Sequence, residues 1–241
     1  MSVREPKGRY LSPAESKRFY DRFGSRQDWQ GFYENPAINE LIAHAAFDSA
    51  HPIFEFGCGT GALAGRLLQH HLPADARYVG FDISTTMVSL AQERLKPWSE
   101  RARIHQSDGS LRIAEPDHCF DRFVSTYVLD LLAPDFIDQL LSDARRLLVF
   151  GGKLCLVSMT FGASPFSHAV CWGWQQLWRL RPGIVGGCHP IELSEYLRPD
   201  FWKVDQQTKV TSWGITSEIL VGAAKWSDFQ NGGIVATLVL E

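Results

Sequence analysis

The chain contains no C-x-x-C pair; its five cysteines (Cys58, Cys119, Cys155, Cys171 and Cys188) are scattered through 241 residues. An odd, dispersed set argues against a disulfide framework and fits reduced thiols, hence a cytoplasmic setting. No apolar run approaches the length of a membrane-spanning helix. The opening residues are polar and charged (Arg4, Glu5, Lys7, Arg9), unlike a secretory signal. A net charge of −3 supplies no general basic field, so no nucleic-acid partner is expected. Tyr-x-x-x-Lys, the proton-relay pair of short-chain dehydrogenases, is missing. So is the P-loop ending Gly-Lys-Ser/Thr, since Gly152-Lys153 runs on into Leu154. With 45% apolar and 21% charged residues, the composition suits one sizeable α/β domain.

Against these absences stands one dense signal, Glu55-Phe56-Gly57-Cys58-Gly59-Thr60-Gly61. It follows the apolar pair Ile53-Phe54 and opens a stretch of helical periodicity (Leu63, Ala64, Leu67, Leu68). A strand, a glycine turn and a helix bring a nucleotide-like ligand against bare backbone and unpaired helix N–H groups. An adenosine-containing cofactor is expected.

The periodicity predicts helices over 13–25 and over Pro36 to Phe47, the second capped by Asn35. Alternation follows: strand 52–57, helix 61–71, strand 77–82, helix 85–96, strands near 102–107 and 120–126, helix 134–149 and strand 153–159. Such alternation argues for a parallel sheet covered on both faces. Residues 161–190 break the repeat as an insertion rich in aromatics and glycine, with Trp172, Trp174 and Trp178. A short helix at 190–197 then precedes two strand-like runs, 201–212 and 215–225, read as an antiparallel pair closing the sheet. The organisation expected is a helical leader or lid at 1–48, a cofactor-binding domain at 49–227 and an unassigned tail at 228–241.

The glycine turn alone leaves two cofactor classes open, because Gly57, Gly59 and Ala62 also satisfy G-x-G-x-x-G/A. Asp82, ending the second strand, would accept ribose hydroxyls in either class. Glu55, two residues before Gly57, repels a pyrophosphate but suits an ammonium or sulfonium. Ser107-Asp108-Gly109 follows the third strand, where a carboxylate could accept an adenine amino group. A nicotinamide-dependent oxidoreductase and a catalytically silent cofactor-binding partner protein stay open as alternatives.

The ordered set Glu55–Gly61, Gly80-Phe-Asp-Ile-Ser84, Ser107-Asp-Gly109, Phe120–Tyr127 and Leu147–Lys153 resembles the class I S-adenosylmethionine-dependent methyltransferases. Within that class it looks most similar to the small-molecule branch typified by quinone-ring and phospholipid methyltransferases. The resemblance implies a seven-stranded Rossmann-like α/β sheet, mostly parallel with a terminal antiparallel strand and helices on both faces. It also implies roles. Gly57, Gly59 and Gly61 would pack on the methionine and ribose of S-adenosylmethionine. Asp82 would take the ribose hydroxyls, with Ile83 and Met87 on the adenine, Asp108 and Gly109 at its edge, and Thr126 and Tyr127 lining the pocket. Phe150, where the family commonly has proline before the two glycines, is a departure.

Methyl transfer from a sulfonium is an in-line displacement, so the protein has chiefly to align the partners and exclude water. A base is needed only where the acceptor must lose a proton. His189, in the glycine-rich Gly186-Gly187-Cys188-His189-Pro190, is the first candidate base; its plain alternative is a loop histidine capping the next helix. Tyr20 could orient the acceptor or close over the cofactor, or merely pack its helix. Glu218 reads as a surface charge. Asp130 has no second carboxylate cluster beside it, and no metal is expected. The aromatic insertion suggests a small, hydrophobic or aromatic acceptor, and Arg179 and Arg181 beside it allow a weak membrane-surface contact.

Overall fold

The computed structural model describes residues 9–226 except Leu111. Helix α1 (Pro13–Phe23) starts at a capping box, in which the Ser12 side chain accepts from Glu15 N and Glu15 reaches back to Ser12. A 3₁₀ turn (Gly24–Gln30) leads into α2 (Gly31–His44). The expected start at Pro36 lies five residues too late, for α2 runs through this proline. Proline has no N–H for the carbonyl four residues back. That carbonyl, of Phe32, instead accepts the Ser212 hydroxyl at 3.3 Å, so the helix continues.

The alternating core then follows as β1 (Ile53–Phe56), α3 (Ala62–His70), β2 (Tyr78–Asp82), α4 (Thr85–Arg94), β3 (Ala102–Gln106), β4 (Phe120–Thr126), α5 (Pro134–Leu147) and β5 (Leu148–Thr160). After β5 come α6 (Pro165–Leu180), β6 (Trp202–Ser212) and β7 (Ile215–Ala224). The seven strands form one sheet in the order β3-β2-β1-β4-β5-β7-β6. Strands β1 to β5 pair in parallel, and β7 runs antiparallel to both β5 and β6. This is the doubly wound arrangement expected, with its order reversing between β1 and β4.

Each face of the sheet carries its own core. On one side α2, α3 and α4 bury Leu41, Leu67, Val88 and Ala91 against Ile53, Val124 and Val157. On the other, α5 buries Ile137, Leu140, Ala144 and Leu147 against Phe54, Phe123 and Leu156. The strands are therefore apolar on both faces, as buried parallel strands must be.

Three further local readings differ from the structure. Strand β5 begins at Leu148, because a register shift between Phe120 and Arg122 lets Gly151, at φ 78°, bulge within the strand. Residues 190–197 hold only a 3₁₀ turn, Leu193–Glu195. The aromatic insertion contains the 16-residue α6, opened by a Ser164–Ser167 capping box with Pro165 in the first turn. Glu218 is no surface charge either. It is fully buried on β7, accepting Leu193 N at 2.7 Å and the Gln207 amide at 2.6 Å, and so pins that 3₁₀ turn to the sheet. The last stretch, 228–241, lies outside the described residues.

Candidate active site

A cavity of about 1280 Å³ opens at the carboxyl ends of β1, β2 and β4, where the strand order reverses. It exceeds the roughly 300–1,000 Å³ of an ordinary ligand pocket, which leaves room for a cofactor and a second molecule together. Its floor is the glycine turn. Gly57 N and Cys58 N both donate to Phe81 O, at 2.7 and 3.0 Å, and bend the chain sharply off β1. At Gly57 (φ 77°) a Cβ would stand 2.3 Å from Val128 Cγ2, so only glycine fits. Gly59 (φ 51°) has nothing within 4 Å of its Cβ direction: it presents bare backbone to the cavity.

Asp82 fixes this turn. Its carboxylate accepts Gly59 N at 2.9 Å and Ser84 N at 2.8 Å, joining the glycine turn to the start of α4. Burial pushes the carboxyl up, against those backbone hydrogen bonds. Glu55 lies beneath, buried and accepting the Tyr78 hydroxyl. Burial carries it to about 7, opposed by the Tyr78 bond. Ile83, Met87, Ser107 and Gly109 line the adjoining wall. Asp108 does not. It is exposed, and its Oδ1 accepts Ser110 N at 2.8 Å.

Helix α1 lies against the rim of this cleft. Asp21 of α1 accepts the Ser84 hydroxyl at 2.7 Å and Thr86 N at 3.2 Å, and Lys17 reaches Thr85 Oγ1 at 2.7 Å. Burial alone would raise the Asp21 carboxyl, but the bonds from Lys17, Ser84 and Thr86 hold it at about 2. The position of a Cβ on Gly109 lies 3.0 Å from Pro13, so α1 roofs the wall beside Ile83. Farther along, Asp28 accepts the Thr60 hydroxyl at 2.6 Å and pairs with Arg94, which also donates to Thr60 at 2.7 Å. The glycine turn is thus tied to the leader as well as to β2.

Beyond the glycine turn, Tyr20, Glu34, Thr126, Tyr127 and Val128 line the remaining space. Tyr127 adopts φ 56°, uncommon outside glycine. Its hydroxyl shares a 2.8 Å hydrogen bond with Ser217 Oγ, and its ring meets Tyr33 edge-on at 6.0 Å. Burial raises the phenols of Tyr20 and Tyr127. Glu34 was invisible in the sequence, where it is one acid among others ahead of a helix. Burial, opposed by Tyr33 and reinforced by Asp130 and Asp28, carries its carboxyl to about 7.

His189 is placed differently. It is buried, outside the cavity lining, stacked on Trp178 with centroids 4.5 Å apart and met edge-on by Tyr10. Its backbone N–H donates to Asp130 O, and its Nδ1 has no hydrogen-bond partner. Burial lowers its ring to about 4, so it is neutral. The cavity therefore brings together Tyr20, Glu55, Gly57, Gly59, Asp82, Ile83, Met87, Gly109, Thr126 and Tyr127, and leaves out Gly61, Asp108 and His189. Gly61 shapes the turn from behind, donating to Cys58 O at 2.9 Å. Among the described residues no group of three or more His, Cys, Asp or Glu could hold a metal ion. Nor is any described helix long and apolar enough to cross a membrane.

The model of a family described as a methyltransferase domain matches residues 53–152. A tRNA N(3)-cytidine methyltransferase METTL2 of Danio rerio is 28% identical over 156 residues, 63% of this chain and 42% of that protein. An uncharacterized methyltransferase of Anoxybacillus flavithermus is 30% identical over 114 residues, 47% of this chain and 49% of that one. The chain thus spans less than half the length of these curated relatives. The apo structure of the S-adenosylmethionine-dependent methyltransferase SibL shares the fold, with TM-score 0.62 and 17% identity over 82% of this chain and 56% of that chain. A bare glycine turn, a carboxylate at the end of β2 and a switch-point cavity fit the same cofactor, S-adenosylmethionine. Residues 53–152 thus match a methyltransferase-domain family, on a fold shared with S-adenosylmethionine-dependent methyltransferases.

Proposed function

We propose that this protein transfers a methyl group from S-adenosylmethionine to a small acceptor held between the glycine turn and Tyr20, Glu34 and Tyr127. The observation that carries this reading is the single continuous cavity, running from the bare backbone of Gly59 to the Tyr127 ring under a roof made by the leader. The cofactor supplies an activated methyl group on sulfur, and the chain supplies placement. Gly57 and Gly59 receive the amino-acid and ribose portions, Asp82 the ribose hydroxyls, and Ile83, Met87 and Gly109 the adenine. Asp108, facing Ser110, would have to turn inward to reach that base. Glu55 keeps the floor of the turn acidic, which favours a cation and repels a diphosphate.

The roof excludes water and restricts the acceptor to something that fits beside Tyr20 and Tyr127. His189 receives no reacting role in this reading, since its ring is packed under Trp178 outside the cavity. Thr126 and Tyr127 form the acceptor-side wall. A cytoplasmic setting and a role for 1–48 as a lid belong to the same proposal.

The test is transfer of labelled methyl from S-adenosylmethionine to fractionated cell extract. Label is expected in a small-molecule fraction, identified by mass spectrometry. Label confined to RNA would replace this acceptor class with the one named for the tRNA-modifying relatives. Saturable binding of S-adenosylhomocysteine without transfer to any fraction would leave a silent cofactor-binding protein.

A further inference from the structure

Glu34 is the one carboxylate in the acceptor half of the cavity that no cation balances. Among the described residues it forms no ion pair; its polar partners are neutral, the Gln27 amide nitrogen at 3.5 Å from Oε1 and the Tyr33 hydroxyl. The cavity's other acids are engaged: Asp82 by two backbone N–H groups, Glu55 by Tyr78, Asp28 by Arg94 and Glu15 by Arg9. The titratable groups around Glu34 are Tyr20 from α1, Asp28 before α2, Tyr33 beside it, Tyr127 after β4, and Asp130 and Cys188 behind them. None is cationic. On the cavity wall the rings of Tyr20 and Tyr127 and the uncompensated Glu34 carboxylate make a site for positive charge, because aromatic rings and carboxylates both attract cations. Ile38, Val128, Leu131, Leu132 and Phe136 supply apolar wall in the same cavity.

We infer that the acceptor is a small amine with an apolar body, bound as its ammonium by Glu34 beside the rings of Tyr20 and Tyr127, and that Glu34 is the base that deprotonates it. The inference rests on the methyl-transfer reading above and names its acceptor class and its proton acceptor. A phenol fits less well, since its phenolate would form beside Glu34 and Asp130, where like charge opposes it. The ammonium passes one proton to a Glu34 oxygen, and the N–H electron pair stays on nitrogen as a lone pair. That lone pair forms the new bond to the methyl carbon while the carbon–sulfur pair departs on sulfur. The product is a methylated ammonium, and Glu34 returns its proton to solvent.

The proposal is tested by binding, apart from turnover. Protein saturated with S-adenosylhomocysteine is titrated with benzylamine, phenethylamine and tryptamine and with the hydroxyl counterpart of each, for the wild type and Glu34→Gln. At least one amine should bind ten times or more tighter than its alcohol, and its affinity should rise as pH rises through about 7, where Glu34 ionises. In Glu34→Gln the preference and the pH dependence should both disappear, with S-adenosylhomocysteine affinity unchanged, which also reports a folded protein. Equal binding of amines and alcohols, or no binding by any amine, overturns the inference. So does a Glu34→Gln variant that loses S-adenosylhomocysteine affinity, since Glu34 would then hold the cofactor's own ammonium. Labelled methyl transferred to a hydroxyl acceptor would likewise overturn it while leaving the methyltransferase reading intact.

Discussion

Asp21 accepts the Ser84 hydroxyl at 2.7 Å, so a carboxylate of α1 caps α4, the helix that follows β2. An anion at a helix N-terminus satisfies free N–H groups and complements the helix dipole. The same carboxylate receives Thr86 N and Lys17, and Thr86 returns a bond to Asp21 O. Opening the roof breaks all of these at once.

Asp21→Ala should therefore loosen α1 without unfolding the sheet. The lost cap is worth about 1–2 kcal/mol. Amide hydrogen exchange should accelerate over 13–23 and little elsewhere, and S-adenosylhomocysteine should dissociate up to about tenfold faster. Unchanged exchange over α1 would mean that its apolar contacts alone hold the roof.

Asp82 is expected to do two things, shape the glycine turn and meet the ribose. Asp82→Ala should weaken S-adenosylhomocysteine binding by about 1–3 kcal/mol in a titration calorimeter. Asp82→Asn, which keeps one acceptor oxygen, should fall between the two. A folded Asp82→Ala variant with wild-type affinity would take the ribose contact away from this residue.

Glu55 gives the floor of the turn a pH signature. Its carboxyl ionises near 4.5 in the unfolded chain and at about 7 when folded. Between those values the folded protein binds more protons, so this group's contribution to stability is present at low pH and is lost as pH rises toward 7. Comparison with Glu55→Gln, which retains an acceptor for the Tyr78 hydroxyl, isolates it. The wild type should lose denaturation midpoint relative to the variant as pH rises from 4.5 to about 7. A constant difference across the range would show Glu55 to be ionised throughout.

Much of this was legible in the chain because local and global signals agreed. Ile53-Phe54 before a glycine turn, with Leu67 and Leu68 after it, specify β1, the bend and α3 within twenty residues of sequence, and each neighbouring strand repeats the pattern. The failures share a cause: they depend on partners distant in sequence. Pro36 marks a helix start by local rules, yet α2 runs through it, burying Ala37, Ile38 and Leu41, and the Phe32 carbonyl it leaves free is met by the Ser212 hydroxyl far along the chain. The start of α6 was written in Ser164-Pro165, but tryptophans and glycines beyond it masked the helical period. Glu34 and Glu218 carry no sequence mark at all, since the burial that gives each its character comes from β4, β6 and the closing loop. His189 drew attention as a loop histidine among glycines, and it is Trp178, eleven residues earlier, that buries it.

That burial makes the histidine's role testable by the sign of its pH effect. A ring held at about 4 when folded, against 6.5 for the free side chain, takes up protons preferentially in the unfolded state as pH falls between those values. Its contribution to stability is thus present above pH 6.5 and is lost on acidification toward 4. His189→Phe keeps a ring on Trp178 and removes the titration. The variant should resist acid better than the wild type across that interval in thermal melts, with S-adenosylhomocysteine affinity and methyl-transfer pH profile unmoved. A base in contact with the acceptor would behave otherwise: turnover would fall in His189→Phe, and the acid limb of the rate profile would vanish with it. Only a ring that packs without reacting shifts stability alone.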